Sequence, residues 1–289
     1  MPATKDRVEI SIQKILLATD FSAVSRTAAL YAHAIAHRFS SHVQLTNVVT
    51  QGTAAPTSDT HHADLKGSNQ ARLEKLLKDF NGLKAETREI ESNAAPAPAL
   101  IEESRRFAAD LIVMGTSSRH GVEKILVGST AESVIRSAQC PVLTIGPKVA
   151  PPAEDPFIFR NILYATDFSA PAAKALIYAL SFAEDSNAHL YLCNVSKVGH
   201  ATGEAQPSEQ EIEASLRRLI PQEAYDCCTP VCVVEHGHTP SALLALADKF
   251  HADLIVVGSR KSSFWLQYID TGLTPALLAG AHCPVLTVC

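Results

Sequence analysis

The chain has 289 residues, 46% of them hydrophobic and 19% charged, with a formal net charge of −5. That length holds two ordinary domains, and the composition belongs to a folded globular chain rather than a disordered one. The acidic balance leaves no basic footprint for a phosphate backbone, so no nucleic acid is expected as a partner.

The opening residues, MPATKDRVEISIQK, lack the continuous apolar core of a secretory signal. No run reaches the roughly 18 uninterrupted apolar residues of a membrane span. The expected compartment is the cytoplasm, with no membrane partner. Seven cysteines fit it: the number is odd, and Cys140, Cys193 and Cys283 lie in apolar runs, where a thiol behaves as a small hydrophobe. Cys227, Cys228, Cys232, His236 and His238 are clustered in sequence, but TPVCVVEHG alternates like a strand and spaces its ligands poorly for one metal ion. No metal is expected, and whether Cys227 and Cys228 respond to oxidant is left open.

The first predicted strand, KILLAT (14–19), ends in Asp20-Phe21-Ser22. A helix follows over 25–39, because Ala28, Tyr31, Ala32, Ile35 and Phe39 recur at helical spacing, with Ser22 or Ser25 as its cap. A strand over 42–49 comes next, then a long polar segment, 50–64, read as a solvated connection whose His61 and His62 have no evident third ligand. A charged amphipathic helix (71–80), a strand (86–92), a helix (97–108) and the strand 110–115 precede the loop GTSSRHGVEKILVGST (115–130). A last helix and the strand 141–146 complete the set.

The signals then return. KILLATDFSA at Lys14 comes again as NILYATDFSA at Asn161, identical at 8 of 10 positions; ADLIVMG at Ala109 returns as ADLIVVG at Ala252, and CPVLTI at Cys140 as CPVLTV at Cys283. The offset is 147 residues for the first pair and 143 for the others. Two homologous domains are expected, 1–147 and 157–289, joined by the proline-rich linker 148–156. Strands alternating with helices give each an α/β, doubly wound architecture, a parallel sheet covered on both faces.

Ligands of such sheets sit beyond the carboxyl ends of the strands, where the winding reverses. Ala18, Thr19 and Asp20, Asn47, Val48 and Val49, and Gly115 should therefore meet. The loop that follows can hold an anion. Gly115 lets the backbone approach closely, the amides of Gly128, Ser129 and Thr130 open a helix N-terminus, and Arg119 and Lys124 add charge. Ser129-x-x-Glu132 is equally a capping box that needs no ligand, and both readings stand. Asp20, with Asp167 in the second copy, can hydrogen-bond a ribose or cap the next helix.

Together, the strand ending in Thr-Asp-Phe-Ser, ADLIVMG, a loop patterned on Gly-x2-Gly-x9-Gly-Ser and the final CPVL resemble the universal stress protein family, over nearly the whole chain. The resemblance implies a five-stranded parallel sheet of adenine-nucleotide α-hydrolase-like type in each copy and pairing of the domains through their last strands, with a homodimer of chains left open. It also implies a role in stress survival and an ATP site, with or without Mg. It assigns Asp20 to the ribose or adenine side, Val48 to the adenine through its backbone, and Gly115, Gly128 and Ser129 to the phosphates. Ser118 stands where the family pattern has glycine; a side chain there costs about 1 kcal/mol or more if φ is positive, while its hydroxyl can donate to an oxygen.

The second copy departs further. Aligned on its strand and on CPVL, Lys261 replaces Ser118, Thr271 replaces Gly128 and Gly272 replaces Ser129. Asp270 sets a carboxylate beside the phosphate position, and Phe264, Trp265 and Tyr268 stand where the first copy has smaller residues. Asp167, Gly258 and Lys261 thus mark a degenerate site, and at most one nucleotide per chain is expected. Neither Gly-x-Ser-x-Gly nor the Walker pattern occurs, and Ser117, Ser118 and His120 have no orienting third group. The chain is expected to be an ATP-binding regulatory protein with at most slow hydrolysis. The alternative is a protein-interaction scaffold, a pseudo-dimer that binds no nucleotide.

Overall fold

The computed structural model describes residues 10–50, 59–116, 128–152, 159–184, 187–196, 207–259 and 272–289, with the backbone alone over 59–67. It divides into two compact units, 12–157 and 158–289, with Ile10 and Ser11 counted in the latter.

The first unit runs β1 (Lys14–Ala18), α1 (Ala23–Phe39), β2 (His42–Thr50), α2 (Asp59–Leu77), β3 (Ala85–Ser92), α3 (Pro96–Phe107), β4 (Leu111–Gly115), α4 (Ser129–Ser137) and β5 (Val142–Ile145). All its strand pairs are parallel, in the order β3-β2-β1-β4-β5. The second repeats the plan with β6 (Asn161–Ala165), α5 (Ala170–Glu184), β7 (His189–Ser196), α6 (Glu209–Leu219), β8 (Thr229–His236), α7 (Thr239–Lys249), β9 (Leu254–Gly258), α8 (Leu273–Gly280) and β10 (Val285–Val288). Its order is β8-β7-β6-β9-β10, again all parallel. Both units are the doubly wound α/β fold that the alternation of elements predicts.

The central strands are apolar throughout because helices cover both faces: Ile15, Leu16 and Leu17 of β1 are wholly buried, as are Ile112 and Val113 of β4. The edge strand β3 reads AETREIES, a charged edge that discourages pairing with another chain. Helix α1 buries Ala28, Tyr31, Ala32 and Ile35, the stripe that its spacing predicts. It stops at Ser40, which takes the left-handed conformation with φ 53, the usual way to end a helix.

One element differs from its expectation. Helix α2 begins at Asp59, so part of the segment read as a solvated connection, including His61 and His62, is helical. No proline interrupts 59–77, and its polar composition hides the period that would have marked it.

Candidate functional site

In the first unit β1, β2 and β3 step one way across the sheet and β4 and β5 the other, so the winding reverses between β1 and β4. The register places Ala18 beside both Thr46 and Met114. The ends of β1, β2 and β4 therefore share one sheet edge, with Thr19, Asp20, Asn47, Val48 and Gly115 along it.

The β1–α1 turn is tightly tied. The Thr19 amide donates to the Thr46 carbonyl at 2.9 Å, and the Phe21 amide donates to Thr19 Oγ1 at 3.0 Å. Ser22 caps α1, its side chain accepting from the Ser25 amide at 3.2 Å. Asp20 is not that cap. Its exposed carboxylate accepts from the Ser22 amide at 3.0 Å, a local turn that fixes the carboxylate at the mouth of the edge.

β2 outlasts β1. After Thr46 it pairs only with β3, through Asn47 to Thr50. Backbone groups alternate between the two edges of a strand, and the Thr46 carbonyl faces β1. Those of Val48, two residues on, face the same way, where β1 has already turned into α1. Asn47 Nδ2 donates to the Thr19 carbonyl at 2.7 Å, and its buried Oδ1 has no hydrogen-bond partner among the described residues. Asn194 repeats the first contact, donating to the Thr166 carbonyl at 2.8 Å.

The packing around Gly115 leaves no room for a side chain. A Cβ there would stand 2.9 Å from the Ser25 backbone nitrogen and 3.0 Å from the Val24 carbonyl carbon. The close approach is by the first turn of α1. Gly258 is tighter still, at 2.4 Å from the Ala172 nitrogen.

The capping-box reading of Ser129 and Glu132 is corrected. The N-cap of α4 is Gly128, extended at φ −58 and ψ 132 with no side-chain cap, and Ser129 is the first helical residue. Glu132 turns instead to Arg136, one turn on, so its carboxylate does not reach back to the helix start. Among the described residues the opening amides of α4, Ser129 and Thr130 among them, thus have no N-cap side chain. The second copy keeps this device one residue out of the expected register. Gly272 caps α8 at φ −59 and ψ 146, which makes it the conformational partner of Gly128 rather than of Ser129.

The sequence pattern of the universal stress protein family matches residues 11–146 and again 158–288. The chain belongs to the universal stress protein family. A universal stress protein of Methanocaldococcus jannaschii is 39% identical over 140 residues, 46% of this chain and 81% of its own length. A putative universal stress protein of Staphylococcus epidermidis is 30% identical over 142 residues, 47% of this chain and 85% of its own. The solved structure of a universal stress protein from Archaeoglobus fulgidus superposes with a TM-score of 0.77 over 97% of each chain at 21% identity, a likeness of fold.

Within this universal stress protein chain, Ala18, Thr19, Asp20, Val48, Gly115, Gly128, Ser129 and Thr130 belong to the elements that end or begin at the switch point. Ser118, Arg119 and Lys124 lie outside the described residues, as do Lys261, Phe264, Trp265, Tyr268 and Asp270 of the second copy. Asp167 repeats the turn of Asp20, accepting from the Ser169 amide at 3.0 Å. The sequence places Asn47 at this edge but gives it no role of its own. Its repetition as Asn194 at the 147-residue offset was the signal available.

Among the described residues no three His, Cys, Asp or Glu side chains converge as metal ligands, and no helix is long and apolar enough to cross a membrane. None of the seven cysteines is joined in a disulfide. Burial pushes Cys228 up to about 11 and Cys193 and Cys283 up to about 12, which keeps them protonated and unreactive near neutrality.

Proposed function

We propose that the first unit binds an adenine nucleotide, ATP with or without Mg, and that this universal stress protein works in the cytoplasm as a nucleotide-responsive regulator. What supports the reading is the topology, which puts at the carboxyl edge of one sheet the backbone of Val48 beyond the end of β1, the carboxylate of Asp20 held by the Ser22 amide, and the start of α4 with glycine as its N-cap. Adenine can be read by a backbone donor and acceptor, as at Val48, and a ribose hydroxyl donates to a carboxylate such as Asp20. Phosphate oxygens accept from helix N-terminal amides, which carry roughly half a positive charge between them. Gly128 leaves those amides open where serine or aspartate would occupy one. Among the described residues of this edge no hydrogen bond pairs a nucleophile with a base; the serine–histidine contact, Ser241 with His238 at 3.1 Å, lies in the second unit, and any hydrolysis at the first is slow and driven by phosphate positioning.

Isothermal titration with ATP, ADP and adenosine tests this. One ATP should bind per chain. Asp20→Ala should weaken all three ligands alike, and Gly128→Asp should weaken ATP most, because it sets a carboxylate against the phosphates. Unchanged affinities in both variants would remove the site.

One observation favours the scaffold reading. Gly115 and Gly258 are both accounted for by packing against α1 and α5, so neither glycine requires a phosphate. A chain that releases no heat with any of the three ligands is the result that reading expects.

A further inference from the structure

Both copies hold a phenylalanine in a conformation that costs energy. Phe21 has φ 63 and Phe168 φ 59, the left-handed region that bulky L-residues rarely enter. The two turns are held alike by their own neighbours. Thr19 Oγ1 and Asp20 Oδ1 accept from the Phe21 and Ser22 amides, at 3.0 Å each. Thr166 and Asp167 accept from Phe168 and Ser169 at the same distance.

The helices around them treat the two turns differently. In the first unit Arg26, from α1, donates through Nη1 to the Phe21 carbonyl at 3.0 Å. Arg72, from α2, lays its guanidinium 4.1 Å from the centre of the Phe21 ring, within cation–π range. In the second unit the repeat puts Ala173 where the first has Arg26. No cation lies over Phe168 among the described residues, and its ring is 43% exposed.

We propose that Arg26 and Arg72 are positioning residues for the nucleotide of the first unit, clamping the strained Phe21 turn so that Asp20 is fixed before the ligand arrives. The inference rests on the nucleotide reading above and deepens it. Strain persists only where the surroundings over-determine it, and two arginines from two helices converge on this one turn. A carboxylate already held in place spares the ligand the cost of ordering it. Among the described residues the second unit has neither arginine at its turn, which gives the expected asymmetry between the copies a cause inside the described structure.

The test uses the full chain and two readouts. Amide hydrogen exchange over Phe21 and Ser22, without ligand, should be slower than over Phe168 and Ser169. In the Arg26→Ala, Arg72→Ala double variant it should quicken by roughly 10-fold, the combined effect of an exposed cation–π contact and a charge-assisted hydrogen bond. The same variant should bind ATP and adenosine about 10-fold more weakly, by equal factors, because the clamp acts through Asp20 rather than on the phosphates. The Arg26→Lys, Arg72→Lys variant should recover most of both, since lysine keeps a donor and a cation.

Exchange unchanged in the alanine variant overturns the clamp. Quickened exchange with unchanged affinity overturns the positioning role, as does a loss confined to ATP. Wild-type protein that takes up no nucleotide, with exchange still quickened by the substitutions, sinks the nucleotide reading and the positioning role with it, and leaves a clamp that is only structural.

Discussion

Replacing Gly115 or Gly258 by alanine forces the first turn of α1 or α5 away from the sheet, because the nearest atoms to the new Cβ are backbone and cannot rotate aside. Overpacking of this kind costs about 1–3 kcal/mol. The cost should be larger for Gly258→Ala, whose Cβ would meet backbone at 2.4 Å against 2.9 Å for Gly115→Ala. Urea denaturation checks it through a lower midpoint at unchanged slope. A neutral Gly258→Ala would mean that α5 can shift freely.

A pH dependence also belongs to single residues. Asp253 accepts from the Arg160 and Asn161 amides, at 2.8 Å and 3.2 Å, and so ties the start of β6 to that of β9. Burial nevertheless pushes its carboxyl up to about 6, against the pull of those amides and of Arg160. The folded value lies above the roughly 3.9 of an unfolded aspartate. The stabilisation is therefore complete below pH 4 and lost as pH rises through 6, by about 2 kcal/mol at most given partial solvent access. Asp253→Asn should flatten the stability profile between pH 4 and 6, measured by urea midpoints across that range. An unchanged slope would place the titration elsewhere. Sequence alone marked Asp20 and Asp167 through their repetition, yet it could not say that Ser22 caps α1 while Asp20 holds the amide of Ser22. Capping depends on φ and ψ at the junction, and those are set by how far β1 runs before it turns.

At the scale of elements the legible part was the strong periodicity. β1, β4 and β5, apolar and short, and α1, with its stripe of alanines, lie within a residue or two of where their patterns place them. Helix α2 was half hidden because its first turns carry little apolar signal. The start of α4 was misread because a serine followed three residues later by a glutamate satisfies the capping pattern, while the competing Glu132–Arg136 pair on the helix surface satisfies the glutamate otherwise. This yields a prediction about α4. Gly128→Ser gives the helix an ordinary cap and should raise stability by only a few tenths of a kcal/mol, yet occupy one amide needed by an anion. Thermal denaturation and ATP titration on the same sample should therefore move in opposite directions. A variant that is both more stable and equally avid for ATP would show that the start of α4 holds no phosphate.

For the molecule as a whole, duplication is the clearest message of the sequence, because decapeptides 147 residues apart that agree at 8 of 10 positions need no structural inference to be recognised. The difference between the copies was harder to read. Much of it was expected in residues 260–271, which lie outside the described structure, but a second part lies in the β1–α1 turn and its counterpart, where Arg26 gives way to Ala173. If that difference governs binding, ligand stabilisation should be confined to one unit. At 100 times its dissociation constant ATP adds about 2.7 kcal/mol to whatever structure it binds. Hydrogen exchange with and without ATP should then slow at residues 18–22, 46–50 and 128–131 and stay unchanged at 165–169 and 193–196. Equal protection of both sets would mean that each copy holds a nucleotide and that neither the arginines nor the altered loop of the second copy decides the matter. Protection of the second set alone would reverse the assignment of the two copies.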